Sequence, residues 1–197
     1  MSETMENKYQ KKIITIPNLL SFFRLCLIPI MVWIYCVKKD YLWTTQILTL
    51  SGLTDVVDGT IARKCGMISD FGKILDPIAD KLTQAAMLFC LVTRFPCMAI
   101  PLVLMVVKEV FAGITGLLTI YKTKEVMGAD WHGKATTVSI YALMVVHLIW
   151  YAIPDIFSHI FTGICVGIML MSFILYGIRN LRVIRSKNKR GMYLVSG

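Results

Sequence analysis

The sequence predicts an all-α integral membrane protein of six transmembrane helices with a short N-terminal interfacial helix. Two observations carry this. Of 197 residues, 56% are hydrophobic and only 17% are charged, against roughly a quarter charged in soluble domains. Spanning helices need ~20 mostly apolar residues, and runs of about that length follow one another at 19–37, 41–62, 72–93, 96–120, 135–151 and 157–178, with short connections between them. There is no internal repeat or low-complexity linker, so the chain reads as a single domain over 1–197. An inverted-repeat transporter lacks support.

Residues 1–16, with Lys8, Lys11 and Lys12, are polar enough to lie along a membrane surface as a short helix. The first apolar run continues to Val37 without a small-residue cleavage site, so it reads as a permanent helix and not a removable leader. Trp33, Tyr35, Tyr41 and Trp43 bracket the turn after it, and Trp150 and Tyr151 bracket the third outer turn, at the end of the fifth run, as interfacial aromatic belts do. The second run carries Asp55 and Asp58, the third Asp76, Pro77 and Asp80, and the fourth Lys108. After the sixth comes a basic flank, 179–197, containing "RNLRVIRSKNKR", suited to anionic headgroups. Of the 21 Lys and Arg, Lys38, Lys39 and Arg94 fall in one set of loops, Lys108 inside a run, and the remaining seventeen on the other side. Basic residues accumulate on the cytoplasmic side, so both termini and the aspartates are expected inside.

The net charge of +9 does not point to nucleic acid, because no basic face with interleaved aromatics exists. The six cysteines show no CxxC spacing and no paired histidines, which excludes a zinc site of the usual kind and leaves them as small apolar residues. His147 and His159 fall toward the outer interface, and His132 lies in a loop, "GADWHGK".

The stretch "GLTDVVDGTIARKCGMISDFGKILDPIADK", residues 52–81, holds four carboxylates beside apolar segments, where an ionised group is costly. Asp55 and Asp58 are three apart and Asp76 and Asp80 four apart, so each pair shares a helix face. Brought together by antiparallel neighbours, such carboxylates need cations. Oxygen donors without His or Cys select Mg²⁺, Mn²⁺ or Ca²⁺. Gly59, Ala62 and Gly72 let a ligand or backbone approach, and Arg63 offers a fork for phosphate. The set points to phosphoryl-type chemistry: cations polarise the phosphate and a carboxylate takes the proton of an attacking hydroxyl. Taken singly, each Asp reads equally well as half of a structural ion pair, and each Gly as packing. A metal-binding scaffold or transporter without turnover is the alternative from another class.

The spacing Asp55-x2-Asp58-Gly59-x2-Ala62-Arg63-x8-Gly72-x3-Asp76-x3-Asp80 resembles the signature of the CDP-alcohol phosphotransferase family, and "IPNLLSFFR" at 16–24 and "DPIADK" at 76–81 extend the resemblance over most of the chain. It implies transfer of the substituted phosphate of a CDP-linked lipid or alcohol to an acceptor hydroxyl, with release of CMP. It also implies two divalent cations, Mg²⁺ or Mn²⁺, with Asp55 and Asp76 bridging them, Asp58 on one, and Asp80 on the other and serving as general base. Gly59, Arg63 and Ser69, with Pro17, Asn18, Asp58, Ala62 and Gly72, are the implied CDP-lipid contacts. "KEVFAGI" at 108–114 and "GKATT" at 133–137 are similar to members that use CDP-diacylglycerol and sn-glycerol 3-phosphate. Phosphatidylglycerol, inositol phosphate and serine are the alternative acceptors. Lys108, Lys134 and Arg179, read as lying at the cytoplasmic ends of the last three helices, are the implied cations for an acceptor phosphate. A homodimer in a bacterial cell membrane is the implied setting.

Overall fold

A computed structural model describes residues 16–65, 70–123 and 131–195, with side chains described over 19–54, 75–115, 131 and 133–179. Every element among the described residues is helical. These are α1 (Ile16–Trp33), α2 (Tyr41–Cys65), α3 (Asp70–Val92), α4 (Ala99–Thr123), α5 (Trp131–Ile149) and α6 (Asp155–Val195). A π-helical turn, Ile34–Lys38, closes α1, and a 3₁₀ turn, Pro96–Met98, opens α4. Each apolar run of the sequence thus falls on one helix. The basic flank expected after residue 178 continues α6 to Val195. Apolarity ends there, but Arg, Lys and Leu are good helix formers and no proline interrupts them.

The chain divides into two compact units, Met1–Cys90 and Leu91–Gly197. In the first, α1 packs on α2 as a hairpin. Pro29 inside α1 lacks the N–H of a regular turn, and a few residues later the helix widens into the π turn. Lys39 ends it at φ 53°, its N–H reaching the Ile34 carbonyl. Asp40 then starts α2, its Oδ1 accepting the Trp43 N–H at 3.0 Å, as an N-cap does. Tyr35 and Tyr41 meet edge to face at 5.4 Å across this junction. The left-handed conformation suits glycine and costs an L-residue roughly 1–2 kcal/mol. Lys39→Gly is therefore expected to raise the midpoint of thermal unfolding in detergent by about 2–4 °C; a lowered midpoint would show that the Lys39 side chain contributes more than its backbone costs.

The second unit is held by α4 against α6 and α5 against α6. Phe111 and Phe173 meet at 4.9 Å between α4 and α6, their rings tilted 60° to each other. Cys97 Sγ lies 3.3 Å from Ser158 Oγ, so α4 and α6 run parallel with a near-constant register offset. His147, in the last turn of α5, is buried. Its Nδ1 lies 2.8 Å from the Leu143 carbonyl and must donate to it, so Nε2 accepts the Ser158 hydroxyl at 2.9 Å. Phe95 packs edge-on at 5.0 Å. Buried polar groups require such partners. Arg94 fastens the connection before α4 to the α5–α6 turn: Nη2 donates to the Tyr151 carbonyl at 2.6 Å and the guanidinium lies 3.4 Å from the Tyr151 ring centre.

Large apolar side chains such as Phe22, Leu42, Phe89, Val103, Val138 and Ile156 are exposed, while Ser21, Arg24, Thr83, Gln84 and His147 are buried. This inverts the pattern of a water-soluble domain. Three segments, Leu19–Lys38, Pro96–Thr115 and Asp155–Arg179, are long and apolar enough to cross a membrane. The apolar part of α5 is shorter, Gly133–Ile149, and α2 and α3 carry the aspartates.

Candidate active site

In the first unit, Asp76, Asp80 and Gln84 recur every four residues along α3, which aligns them on one stripe. Ser21, wholly buried on α1, donates its hydroxyl to Asp76 Oδ1. Asp80 is 8% exposed. Its Oδ1 and Oδ2 both accept from Gln84 Nε2, at 3.0 and 2.9 Å, and Lys81 Nζ lies 3.5 Å from Oδ2. The lysine is more exposed than the carboxylate, so solvent weakens that pair, whereas the amide is buried with its acceptor. Gln84 Oε1 is buried and lacks a hydrogen-bond partner among the described residues. Pro77 sits inside α3 between the two aspartates and removes the backbone bond that would reach residue 73.

Folding the α1–α2 hairpin returns the last turns of α2 to the level of the first turns of α1, by the common 1.5 Å rise. The Ser21–Asp76 contact brings the first turns of α3 to the same end. Asp55, Asp58, Gly59, Ala62 and Arg63 lie on those last turns of α2, Gly72 on the first turn of α3, and Pro17 and Asn18 on the first turn of α1. The backbone therefore gathers these positions at one end of the unit. Their side chains, and Ser69 entirely, lie outside the described residues. Among the described residues no group of three His, Cys, Asp or Glu assembles; Asp76 and Asp80 form the described half of the expected four-carboxylate cluster.

In the second unit, Lys134 is exposed at the start of α5. Its neighbour Gly133 faces Tyr176, where a Cβ would stand 3.4 Å from the hydroxyl. Arg179 lies over the Tyr176 ring at 4.9 Å. Gly133 and Arg179 therefore both adjoin Tyr176. Lys108 is not at a helix end as expected. It lies mid-helix on α4, 5% exposed, with Nζ 3.6 Å from Glu109 Oε1. The Phe111–Phe173 register puts it about 13 Å from Arg179 along the bundle. Tyr176 thus adjoins both Gly133, next to Lys134, and Arg179, whereas Lys108 lies farther along the bundle.

Ser21 and Gln84 touch the expected carboxylates and Arg24 is buried one turn from Ser21, and the reading of the sequence assigns none of them to the site. Arg24 enters there as a charge on the cytoplasmic side and as the end of "IPNLLSFFR", and it is wholly buried one turn beyond Ser21. The available signal is periodic: Asn18, Ser21 and Arg24 repeat at three-residue spacing through an apolar run, and Gln84 continues the Asp76–Asp80 spacing.

A family model described as CDP-alcohol phosphatidyltransferase matches residues 14–177. The chain is 29% identical over 192 residues to a Bacillus subtilis protein named CDP-diacylglycerol–glycerol-3-phosphate 3-phosphatidyltransferase, covering 88% of this chain and 98% of that one. It is 43% identical over 95 residues to an Arabidopsis thaliana protein named CDP-diacylglycerol–glycerol-3-phosphate 3-phosphatidyltransferase 2, covering 46% of this chain and 40% of that one. It is also 37% identical over 86 residues to a Streptomyces coelicolor protein named cardiolipin synthase (CMP-forming), covering 41% of this chain and 40% of that one. The match thus spans nearly the whole Bacillus relative but under half of the Arabidopsis and Streptomyces ones.

Proposed function

Because the chain belongs to the CDP-alcohol phosphatidyltransferase family, we propose that it transfers the phosphatidyl group of CDP-diacylglycerol to sn-glycerol 3-phosphate, releasing CMP and forming phosphatidylglycerophosphate. The observation that carries the acceptor is the match to the Bacillus relative over 98% of that protein. In the same reading the chain is an integral membrane protein crossing six times, with both termini and the site on the cytoplasmic side, and it acts as a homodimer.

Asp55, Asp58, Asp76 and Asp80 hold two divalent cations, Mg²⁺ or Mn²⁺. The described half of the site fits this: its donors are carboxylate oxygens of the kind hard cations take, and the buried Gln84 Oε1 is an acceptor suited to a water on such an ion. When bound, the cations neutralise and polarise the pyrophosphate. The protein does the rest. Asp80 takes the proton from the acceptor hydroxyl. The freed oxygen bonds to the phosphorus carrying diacylglycerol, and the bond from that phosphorus to the bridging oxygen breaks, so CMP leaves with the electron pair. Ser21 holds Asp76. Pro17, Asn18, Gly59, Ala62, Arg63, Ser69 and Gly72 form the nucleotide seat, small where the backbone must come close and basic at Arg63 where phosphate charge lies. Lys134 and Arg179 receive the acceptor phosphate. Lys108, already beside Glu109, supplies a more remote positive charge.

A second reading, phosphatidylglycerol as acceptor, is favoured by the Streptomyces relative. The deciding experiment supplies purified protein with CDP-diacylglycerol and each alcohol in turn, and follows CMP. Release with sn-glycerol 3-phosphate and none with phosphatidylglycerol, inositol phosphate or serine is expected. Release with phosphatidylglycerol alone overturns the first reading in favour of the second.

A further inference from the structure

We propose that Gln84 is a positioning residue that keeps Asp80 from chelating a cation through both carboxylate oxygens, so that one oxygen ligates while the other stays available as the base. This rests on the roles given to Asp80 above. Its warrant is a feature of this chain. Gln84 is 0% exposed, one turn after Asp80, and its Nε2 stands almost equally far from the two oxygens, 3.0 and 2.9 Å. A nitrogen equidistant from both oxygens lies near their bisector, on the open side of the carboxylate. A cation held by both oxygens would sit in that same place.

The amide cannot exchange ends cheaply, because reversing it would set Oε1 against two carboxylate oxygens. Nor can it withdraw easily, since it is wholly buried and a buried amide N–H stripped of its acceptors carries a desolvation cost. With the bisector filled, each Asp80 oxygen retains only its outward lone pairs. One oxygen can serve a metal ion and the other the acceptor hydroxyl. A carboxylate wrapped around a cation through both oxygens would have its lone pairs committed and would be a poor base. Gln84 therefore resolves a conflict that arises whenever one aspartate must both ligate and deprotonate.

The test uses the full-length protein in detergent and two substitutions. Gln84→Met keeps the volume and removes the donor. Gln84→Asn keeps the amide but withdraws it by one methylene. Folding is checked by size-exclusion profile and thermal unfolding, and either variant, if folded, is sufficient to decide. Three quantities are read: kcat, KM for both substrates, and Mn²⁺ affinity from the electron paramagnetic resonance signal of the free ion, measured without substrate. The expected result is a kcat lower by about 10- to 100-fold, the usual effect of losing a partner that orients a metal ligand, with both KM values within about threefold and Mn²⁺ bound as tightly or more tightly. A merely structural role would weaken Mn²⁺ binding along with turnover. Wild-type kcat, or Mn²⁺ affinity falling by the same factor as kcat, overturns the proposal. Asp80→Asn in the same assay separates the two levels. If it is inactive while the Gln84 variants turn over normally, only the role of Gln84 fails; if it remains active, the base assignment fails and this inference with it.

Discussion

Asp80→Asn is expected to reduce CMP release from CDP-diacylglycerol by ~10²–10⁴-fold, the range typical of removing a general base. The substitution changes almost no volume, so the effect is chemical. An amide nitrogen has no proton-accepting lone pair, and an amide oxygen is both a weaker base and a weaker ligand for a hard cation. The side chain it replaces is nearly buried and faces donors, the Gln84 amide and the Lys81 ammonium. Asparagine can satisfy these through its oxygen alone, so the fold is expected to survive while the site loses its charge. The loss should appear in kcat more than in the KM for glycerol 3-phosphate, because the proton moves only as the transition state forms. A scaffold or transporter that binds metal without turnover predicts instead that Asp80→Asn behaves as wild type. Unchanged CMP release would remove the enzyme reading altogether.

The six helices were legible because each coincides with an apolar run of about the length a spanning helix needs, and no tertiary contact was needed to see them. Their ends were less so, since hydropathy marks the edge of an apolar stretch and helices obey other rules. The regular part of α1 stops at Trp33, where a π turn begins, although the apolar run goes on to Val37. Conversely α6 passes residue 178 into a basic segment and continues to Val195. The spacing of the aspartates was visible because both pairs lie within single helices. Their partners were not. Ser21 meets Asp76 across 55 positions of sequence, and the polar spacing Asn18–Ser21–Arg24 marks a face of α1 without saying that α3 is what it meets. Lys108 looked like a helix-end cation because lysine is usually solvated, but the structure buries it beside Glu109. Long side chains can meet even from adjacent positions, which do not face each other on a helix. His147 shows the same limit. Its role depends on Ser158, which arrives from another helix.

Removal of divalent cations with EDTA is expected to abolish turnover, with Mg²⁺ or Mn²⁺ restoring it and Zn²⁺ or Cu²⁺ failing to. The prediction follows from the donors. Carboxylate oxygens without sulfur or imidazole favour hard cations, and soft or borderline ions gain nothing from them. It has a structural counterpart that needs no substrate. Asp76 and Asp80 lie one turn apart on α3 in a poorly solvated setting, and Asp55 and Asp58 are brought to the same end by the α1–α2 hairpin, so without cations the like charges repel. A ligand that binds only the folded state adds about 2.7 kcal/mol at a hundred times its dissociation constant. The unfolding midpoint of the metal-stripped protein should therefore rise steadily as Mg²⁺ is added. Asp76→Asn and Asp80→Asn should flatten that rise, because each removes one carboxylate from the cluster. Full activity after exhaustive chelation, together with a midpoint indifferent to Mg²⁺, would mean that the aspartates are neutralised by basic side chains of the protein, with Arg24, wholly buried one turn from Ser21, the first to substitute.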